Sequence, residues 1–151
     1  MKLEYLMTYR ASLKDAVDIG AVHLGRRRII DVTGGTFEGP KLRGTILPSG
    51  GDWLVTGPDG ITRLDVRATF QTDDGAFIYA SYRGVSAPSD LVRAKRARGE
   101  DPGFGDAYFM TAPVFETGDP RYVWLNAIVA VGEGRSGAGW VEYRVFQVVN
   151  G

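Results

Sequence analysis

The sequence predicts an all-β protein: an antiparallel β-barrel of about eight to ten strands with one short helical insertion. Three observations lead there. Segments rich in Val, Ile, Tyr, Phe and Trp recur along the 151 residues. Short turns separate them, drawn from 21 glycines and 7 prolines that are spread rather than clustered. Only one segment carries helix signals. Bent, glycine-containing strands suit closure into a barrel, and a two-sheet sandwich is the rival architecture.

The first strand is expected over KLEYLMTYRASL, where β-favouring residues partly alternate. In RRRIIDVTGGTFEGPKLRGTIL, strand-like pieces are broken by Gly34-Gly35 and Gly39-Pro40, which predict bends or bulges. PSGGDW reads as a loop, and WLVTGPDGITRLDV holds a Pro58-Asp59-Gly60 turn. The hairpin RLDVRATFQTDDGAFIYASYRG follows, from Arg63 to Gly84. APSDLVRAKRARGED is the helix, with Ser89 as N-cap and Gly99 after its basic C-terminal turn. Three further strands are expected in DAYFMTAPVFET, RYVWLNAIVAVGEG and GWVEYRVFQVV. No linker, long repeat or low-complexity run divides the chain, so residues 1–151 are read as a single domain.

The hairpin's register follows from its turn. A two-residue Asp74-Gly75 turn mixes apolar and charged groups on both faces. A three-residue Asp73-Asp74-Gly75 loop, with Gly75 in the left-handed region, pairs Thr72 with Ala76 and sorts the faces. Leu64, Val66, Ala68, Phe70, Ile78, Ala80 and Tyr82 then share one side. Asp65, Arg67, Thr69, Tyr79, Ser81 and Arg83 share the other, with opposite pairs Asp65–Arg83, Arg67–Ser81 and Thr69–Tyr79. Placed outward, the polar face is solvated surface. Placed inward, its arginines would hold a carboxylate, enolate or phenolate, with Asp65 orienting one of them and Tyr79 donating a hydrogen bond.

Composition narrows the chemistry. Lys plus Arg and Asp plus Glu both number 18, so bulk electrostatic binding of nucleic acid or anionic membrane is not expected. The chain has no cysteine and one histidine, His23, which leaves little material for a thiolate nucleophile, a His-based triad or a metal site. No metal and no cofactor are expected. Gly132, Gly134, Gly137 and Gly139 lie between strands and read as a loop, not a dinucleotide fingerprint. Arg93, Lys95, Arg96 and Arg98 read as a solvated helix face. Trp53, Trp124 and Trp140 read mainly as core. Trp124 alternates with Asn126 in YVWLNAIV, and an aromatic beside an amide suits a ligand pocket. Thr111 and Glu116 flank Pro113 on opposite faces by simple alternation, so a bend at the proline is needed to bring both inward. The N-terminus does not read as a secretory signal, no apolar run approaches the roughly 18 residues of a membrane span, and the cytoplasm is the expected compartment.

GGTFEGPKLRGTILPSGGDW, LDVRATFQTDDGAFIYASYRG and FMTAPVFETGDPRYVWLNAIVAVGEG, in that order, resemble the bacterial and fungal family known as domain of unknown function 3237, or uncharacterised protein family 0311. The likeness runs from about Phe37 to the C-terminus and more loosely through the first strands. The family's LDxR pattern falls on Asp65 and Arg67, and its DDG and IY element on Asp73, Asp74, Gly75 and Tyr79. YRG falls on Tyr82, Arg83 and Gly84. The T-x-P, FET and WLN elements fall on Thr111, Pro113, Phe115 to Thr117, and Trp124 to Asn126. Met110 stands where relatives often carry arginine, which weakens any anion-binding role at that position. The resemblance implies a lipocalin-like (calycin-like) barrel, usually oligomeric, and no established activity.

Three functional readings stay open. In the first, the barrel is a cofactor-free isomerase, cyclase or lyase for a hydrophobic or aromatic ligand bearing a carbonyl, phenol or carboxylate. Arg67 and Arg83 would stabilise negative charge, Asp65 or Glu116 would move a proton, and Tyr79, Thr111, Trp124 and Asn126 would complete the pocket. In the second it is a carrier or sensor of such a ligand. In the third it is a structural, oligomeric module. With the polar face inside, the hairpin's apolar face needs a cover, which a homo-oligomer, a dimer or higher, would supply.

Overall fold

In the computed structural model, which describes residues 1–151, nine antiparallel strands form one sheet that curls until its ends meet. The strands are β1 (Lys2–Leu13), β2 (Val17–Val22), β3 (Gly25–Glu38), β4 (Arg43–Thr56), β5 (Thr62–Thr72), β6 (Phe77–Ser86), β7 (Phe109–Glu116), β8 (Val129–Gly137) and β9 (Trp140–Val149). Their order is β1-β9-β8-β7-β6-β5-β4-β3-β2, and β1 also pairs with β3. Eight strands therefore close an antiparallel barrel, and β2 rides on β3 outside the ring. Closure removes the free edges that an open sheet would expose. No helix is long and apolar enough to cross a membrane.

Bends fall where glycine allows them. Gly34 and Gly35 both have positive φ, and the β3–β4 register shifts between Asp31 and Gly35. Past this bend β3 has left β2, keeps β4 on one edge from Gly35↔Ile46 to Glu38↔Arg43, and takes β1 on the other, beginning at Leu13↔Val32. PSGGDW does not form a loop. β4 runs through it, and the excess residues bulge between Ile46↔Phe70 and Gly50↔Ala68.

The β5–β6 hairpin takes the three-residue register. Thr72 N donates to Ala76 O, Gly75 N donates to Thr72 O, and Gly75 has φ +94°. Asp65↔Arg83, Arg67↔Ser81 and Thr69↔Tyr79 are opposite one another. The apolar face points inward: Leu64, Val66, Ala68, Phe70, Ile78, Ala80 and Tyr82 are all buried. The hairpin itself thus needs no partner to cover it.

One end of the barrel is sealed and the other is open. At the sealed end a 3-10 turn, Val123–Ala127, inserts buried Leu125. Tyr122 Oη donates to Asp74 Oδ2 at 2.8 Å, tying this turn to the β5–β6 loop. At the open end sits α1 (Asp90–Ala97). Ser89 Oγ accepts from Val92 N, and Gly99 has φ +74°, as its capping pattern predicts. Arg96 Nη2 reaches across the mouth to Ser136 O and Oγ, both at 3.1 Å.

Candidate functional site

None of the eight residues singled out from the sequence lines the interior cavity. Asp65, Arg67, Tyr79 and Arg83 lie on the outer face of the hairpin, because the apolar set fills the inside. Arg83 Nη2 and Asp65 Oδ2 are 3.9 Å apart, and the arginine side chain is 84% exposed. Such a pair contributes about 0–1 kcal/mol. Arg67 lies over the exposed Trp53 ring, so this tryptophan is surface, not core. Thr111 is buried in the wall and its Oγ1 faces Gly132 O at 3.5 Å. Glu116 faces out, since β7 alternates without a bend at Pro113. Trp124 and Asn126 belong to the 3-10 turn rather than a strand. Trp124 packs against the core, while Asn126 clamps Thr117, accepting from its N–H at 2.8 Å and donating to its carbonyl at 2.9 Å.

The interior holds a different constellation. A cavity of about 560 Å³ opens beneath α1, within the roughly 300–1,000 Å³ of small-ligand sites. Strand alternation and register decide what faces it. On β4, Asp52 and Leu54 are in phase, and Asp52 lies opposite Val66, whose side chain is inside. On β3, Arg28 and Ile30 lie opposite Leu54 and Asp52. On β1 and β9, Tyr9 and Tyr143 face each other directly. Tyr82 joins them from β6, opposite Val66. Gly134 keeps the wall thin here, since a Cβ on it would meet the Phe109 ring at 2.8 Å and Tyr143 at 2.9 Å.

Three tyrosines thus form a buried cluster. Ring centroids are 5.0 Å apart for Tyr9–Tyr143, 5.4 Å for Tyr82–Tyr143 and 6.3 Å for Tyr9–Tyr82. Burial, reinforced by the neighbouring hydroxyls, raises all three phenol pKa values well above the ordinary value. They are therefore neutral hydrogen-bond donors at neutral pH. Tyr82 is near enough to perturb Tyr9, yet no well-formed hydrogen bond joins them, and Tyr9 Oη has no partner. A buried tyrosine hydroxyl normally finds one.

Two carboxylates line the cavity, of which Asp15 is exposed and Asp52 is held in the wall. The β4–β5 ladder is interrupted between Asp52↔Val66 and Val55↔Arg63. In the gap, Asp52 Oδ1 accepts the Asp65 amide at 3.0 Å, leaving Oδ2 to the cavity. Burial pushes the Asp52 pKa up to about 6, and the Asp65 charge adds to this against the opposing effects of that amide and Arg28. A carboxyl near 6 can both take and return a proton around neutrality. Arg28 makes no ion pair with it, and its buried Nε has no hydrogen-bond acceptor.

The sequence reading missed Asp52, Arg28, Tyr9 and Tyr143, and it had Tyr82 only as part of an apolar face. The signal that finds them is phase. Arg28 alternates with Ile30 and Val32, Asp52 with Leu54, and Tyr143 with Val141 and Val145. A charge in register with an apolar stripe is a buried charge. For Asp52 that signal was hidden because PSGGDW resembles a loop.

Fold and cavity together define a small closed antiparallel β-barrel with a polar belt inside an apolar wall. The chain belongs to the family described as Protein of unknown function (DUF3237), whose model matches residues 1–148. It is 36% identical over 150 residues to a UPF0311 protein of Rhodopseudomonas palustris, covering 99% of this chain and 97% of that one. It is 33% identical over 102 residues to the hydroalkoxylation enzyme phnH of Penicillium herquei, covering 67% of this chain and 52% of the enzyme. Among solved structures, a conserved protein of unknown function from R. palustris superposes with TM-score 0.87 at 37% identity, covering 99% of each chain. A β-barrel-like protein from Acinetobacter baumannii gives 0.84 at 37% identity, covering 97% of this chain and 94% of the other. An enzyme from P. herquei gives 0.72 at 24% identity over 98% and 94%, a likeness of fold.

Proposed function

We propose that the barrel cavity binds a small, mainly apolar molecule carrying a carbonyl or hydroxyl oxygen, and that Asp52 moves a proton on it without a cofactor. The observation that carries this reading is Asp52 itself: a carboxylate held in an apolar wall, with one oxygen anchored by the Asp65 amide and a pKa near 6. The protonated tyrosines supply hydrogen bonds to oxygen as charge develops there, as preorganised donors do in a dry site. The P. herquei relative supports proton chemistry in this family, since its name denotes addition of an O–H across a carbon–carbon double bond.

The test uses a substrate that needs only a base, 5-nitrobenzisoxazole. Asp52 would remove the ring C–H proton. The C–H electron pair forms the nitrile, and the N–O bond breaks to leave a coloured phenolate. The expected rate rises with pH through about 6 and falls roughly 100-fold in Asp52→Asn. Equal turnover by the folded variant and the wild type would remove Asp52 from the chemistry. Saturable binding with no Asp52-dependent turnover would leave the barrel a carrier.

A further inference from the structure

Five cations line the cavity: Lys14, Arg28, Arg93, Arg96 and Arg135. Lys14 is paired with Asp31, Arg93 with Asp90 and Arg135 with Glu142. Arg96 is spent on Ser136 across the mouth. Neither Arg28 nor Arg96 has a carboxylate within 4.0 Å, and of the five only Arg28 has neither a salt bridge nor a side-chain hydrogen bond, its buried Nε included. The site leaves a second polar group unmatched, Tyr9 Oη, on a residue only 2% exposed. Leaving such groups unpaired costs free energy, and a guanidinium costs more than a hydroxyl.

These two unmatched groups lie at different depths. Arg28 sits opposite Leu54, on the mouth side of the Ile30↔Asp52 pair. Tyr9 sits opposite Tyr143 and packs on Phe70, toward the sealed end. Between them the wall carries Ile30, Val32, Leu64 and Val66, with Asp52 as its one carboxylate. A ligand that satisfies both is anionic at one end, apolar in the middle and oxygenated at the other. Carboxylate is the anion that matches a guanidinium fork, through two parallel N–H···O bonds.

We propose that Arg28 is a specificity-determining residue which receives a carboxylate, so that the ligand class is a hydroxy- or oxo-substituted aromatic or alicyclic carboxylic acid, with its far oxygen at Tyr9. This rests on the cavity being the ligand site and not on proton transfer by Asp52. Bound carboxylate gives a direct partner to the one lining cation that has neither a salt bridge nor a side-chain hydrogen bond. Arg28 is half-buried, so such a pair is screened less than a surface contact and is worth more.

The experiment compares 4-hydroxybenzoate with its methyl ester, by calorimetry on the whole chain at pH 8. The wild type is expected to bind the acid at least about tenfold more tightly, the scale of a charge-assisted pair. In Arg28→Gln the preference should fall below about twofold, with Arg28→Lys in between because it keeps the charge but loses the fork. Tyr9→Phe should weaken 4-hydroxybenzoate and leave benzoate unchanged. If Arg28→Gln fails to fold, the wild-type protein still decides: the Arg28 Nε–H resonance must shift with the acid and stay put with the ester. An acid no better than its ester overturns the proposal. So does a preference that survives Arg28→Gln but vanishes in Arg96→Gln, which would place the anion at the mouth. Nitrobenzisoxazole turnover in Asp52→Asn reads the base alone, so its failure leaves the acid–ester ratio untouched.

Discussion

Burial makes the charged form of Asp52 costly, and that cost has a pH signature. Its pKa is about 6 in the folded chain, above the ordinary 3.8. The native state therefore holds this proton more tightly than the unfolded chain between those two values, and stability falls as pH rises through the window. The loss is on the order of 3 kcal/mol by pH 7. Asn at position 52 keeps an oxygen for the Asp65 amide and removes the charge. Asp52→Asn should match the wild type near pH 4 and melt higher by roughly 5 °C or more at pH 7. A pH-independent difference between the two melting curves would mean that Asp52 is not desolvated. The same residue shows why the site was hard to read from sequence. Polarity drew attention to Asp65, Arg67, Tyr79 and Arg83, yet strand phase puts those outside. Of the residues that face the cavity, Asp52 is masked by the loop-like PSGGDW, Arg28 by the arginine run that it ends, and Tyr143 by its charged neighbours Glu142 and Arg144.

At the level of single elements, turn and cap chemistry was legible because it is local. The Asp-Asp-Gly loop set the hairpin register, and Ser89 and Gly99 bounded α1. Segments governed by distant contacts were not legible. Arg121 to Asn126 has strand-like composition, but Leu125 is drawn into the barrel floor and Asn126 binds Thr117, so the backbone winds into a 3-10 turn. PSGGDW has loop composition, but β3 and β5 on either side hold it in the sheet. For α1, no residue is buried, so its cap carries unusual weight. Ser89 Oγ accepts from Val92 N and donates to Asp106 O at 2.7 Å, fixing both the helix start and its anchorage. Ser89→Ala should cost about 1 kcal/mol locally. Hydrogen exchange would show it as faster amides in α1, with the β5–β6 amides unchanged. Equal loss of protection in both would mean that the helix is part of the barrel's cooperative core and not a separable cover.

The whole molecule depends on one seam. β1 pairs with β9 along nearly its full length, but with β3 only from Thr8 to Leu13, and that shorter ladder is what turns an open sheet into a barrel. Closure could be anticipated from bent, glycine-rich strands. Which strands meet could not, because β1 and β3 carry no pairing signal beyond general β-propensity. Gly35 is the residue on which the seam turns. Its φ is +152°, and a Cβ there would press on Arg10 O and lie 3.0 Å from the Ala11 Cα. Both obstacles are backbone, so no side chain can swing aside to relieve them. Gly35→Ala should therefore cost about 3 kcal/mol or more, combining strained φ with a forced shift of β1. The loss should also be directional. Amides of β1 that face β3 should exchange faster while those facing β9 stay protected, because the β1–β9 ladder does not pass Gly35. Since Tyr9 and Ala11 line the cavity on either side of Arg10, the same variant should weaken 4-hydroxybenzoate binding before it unfolds. A Gly35→Ala protein that keeps its urea midpoint, or loses protection evenly on both edges of β1, would show that the barrel closes without help from this bend.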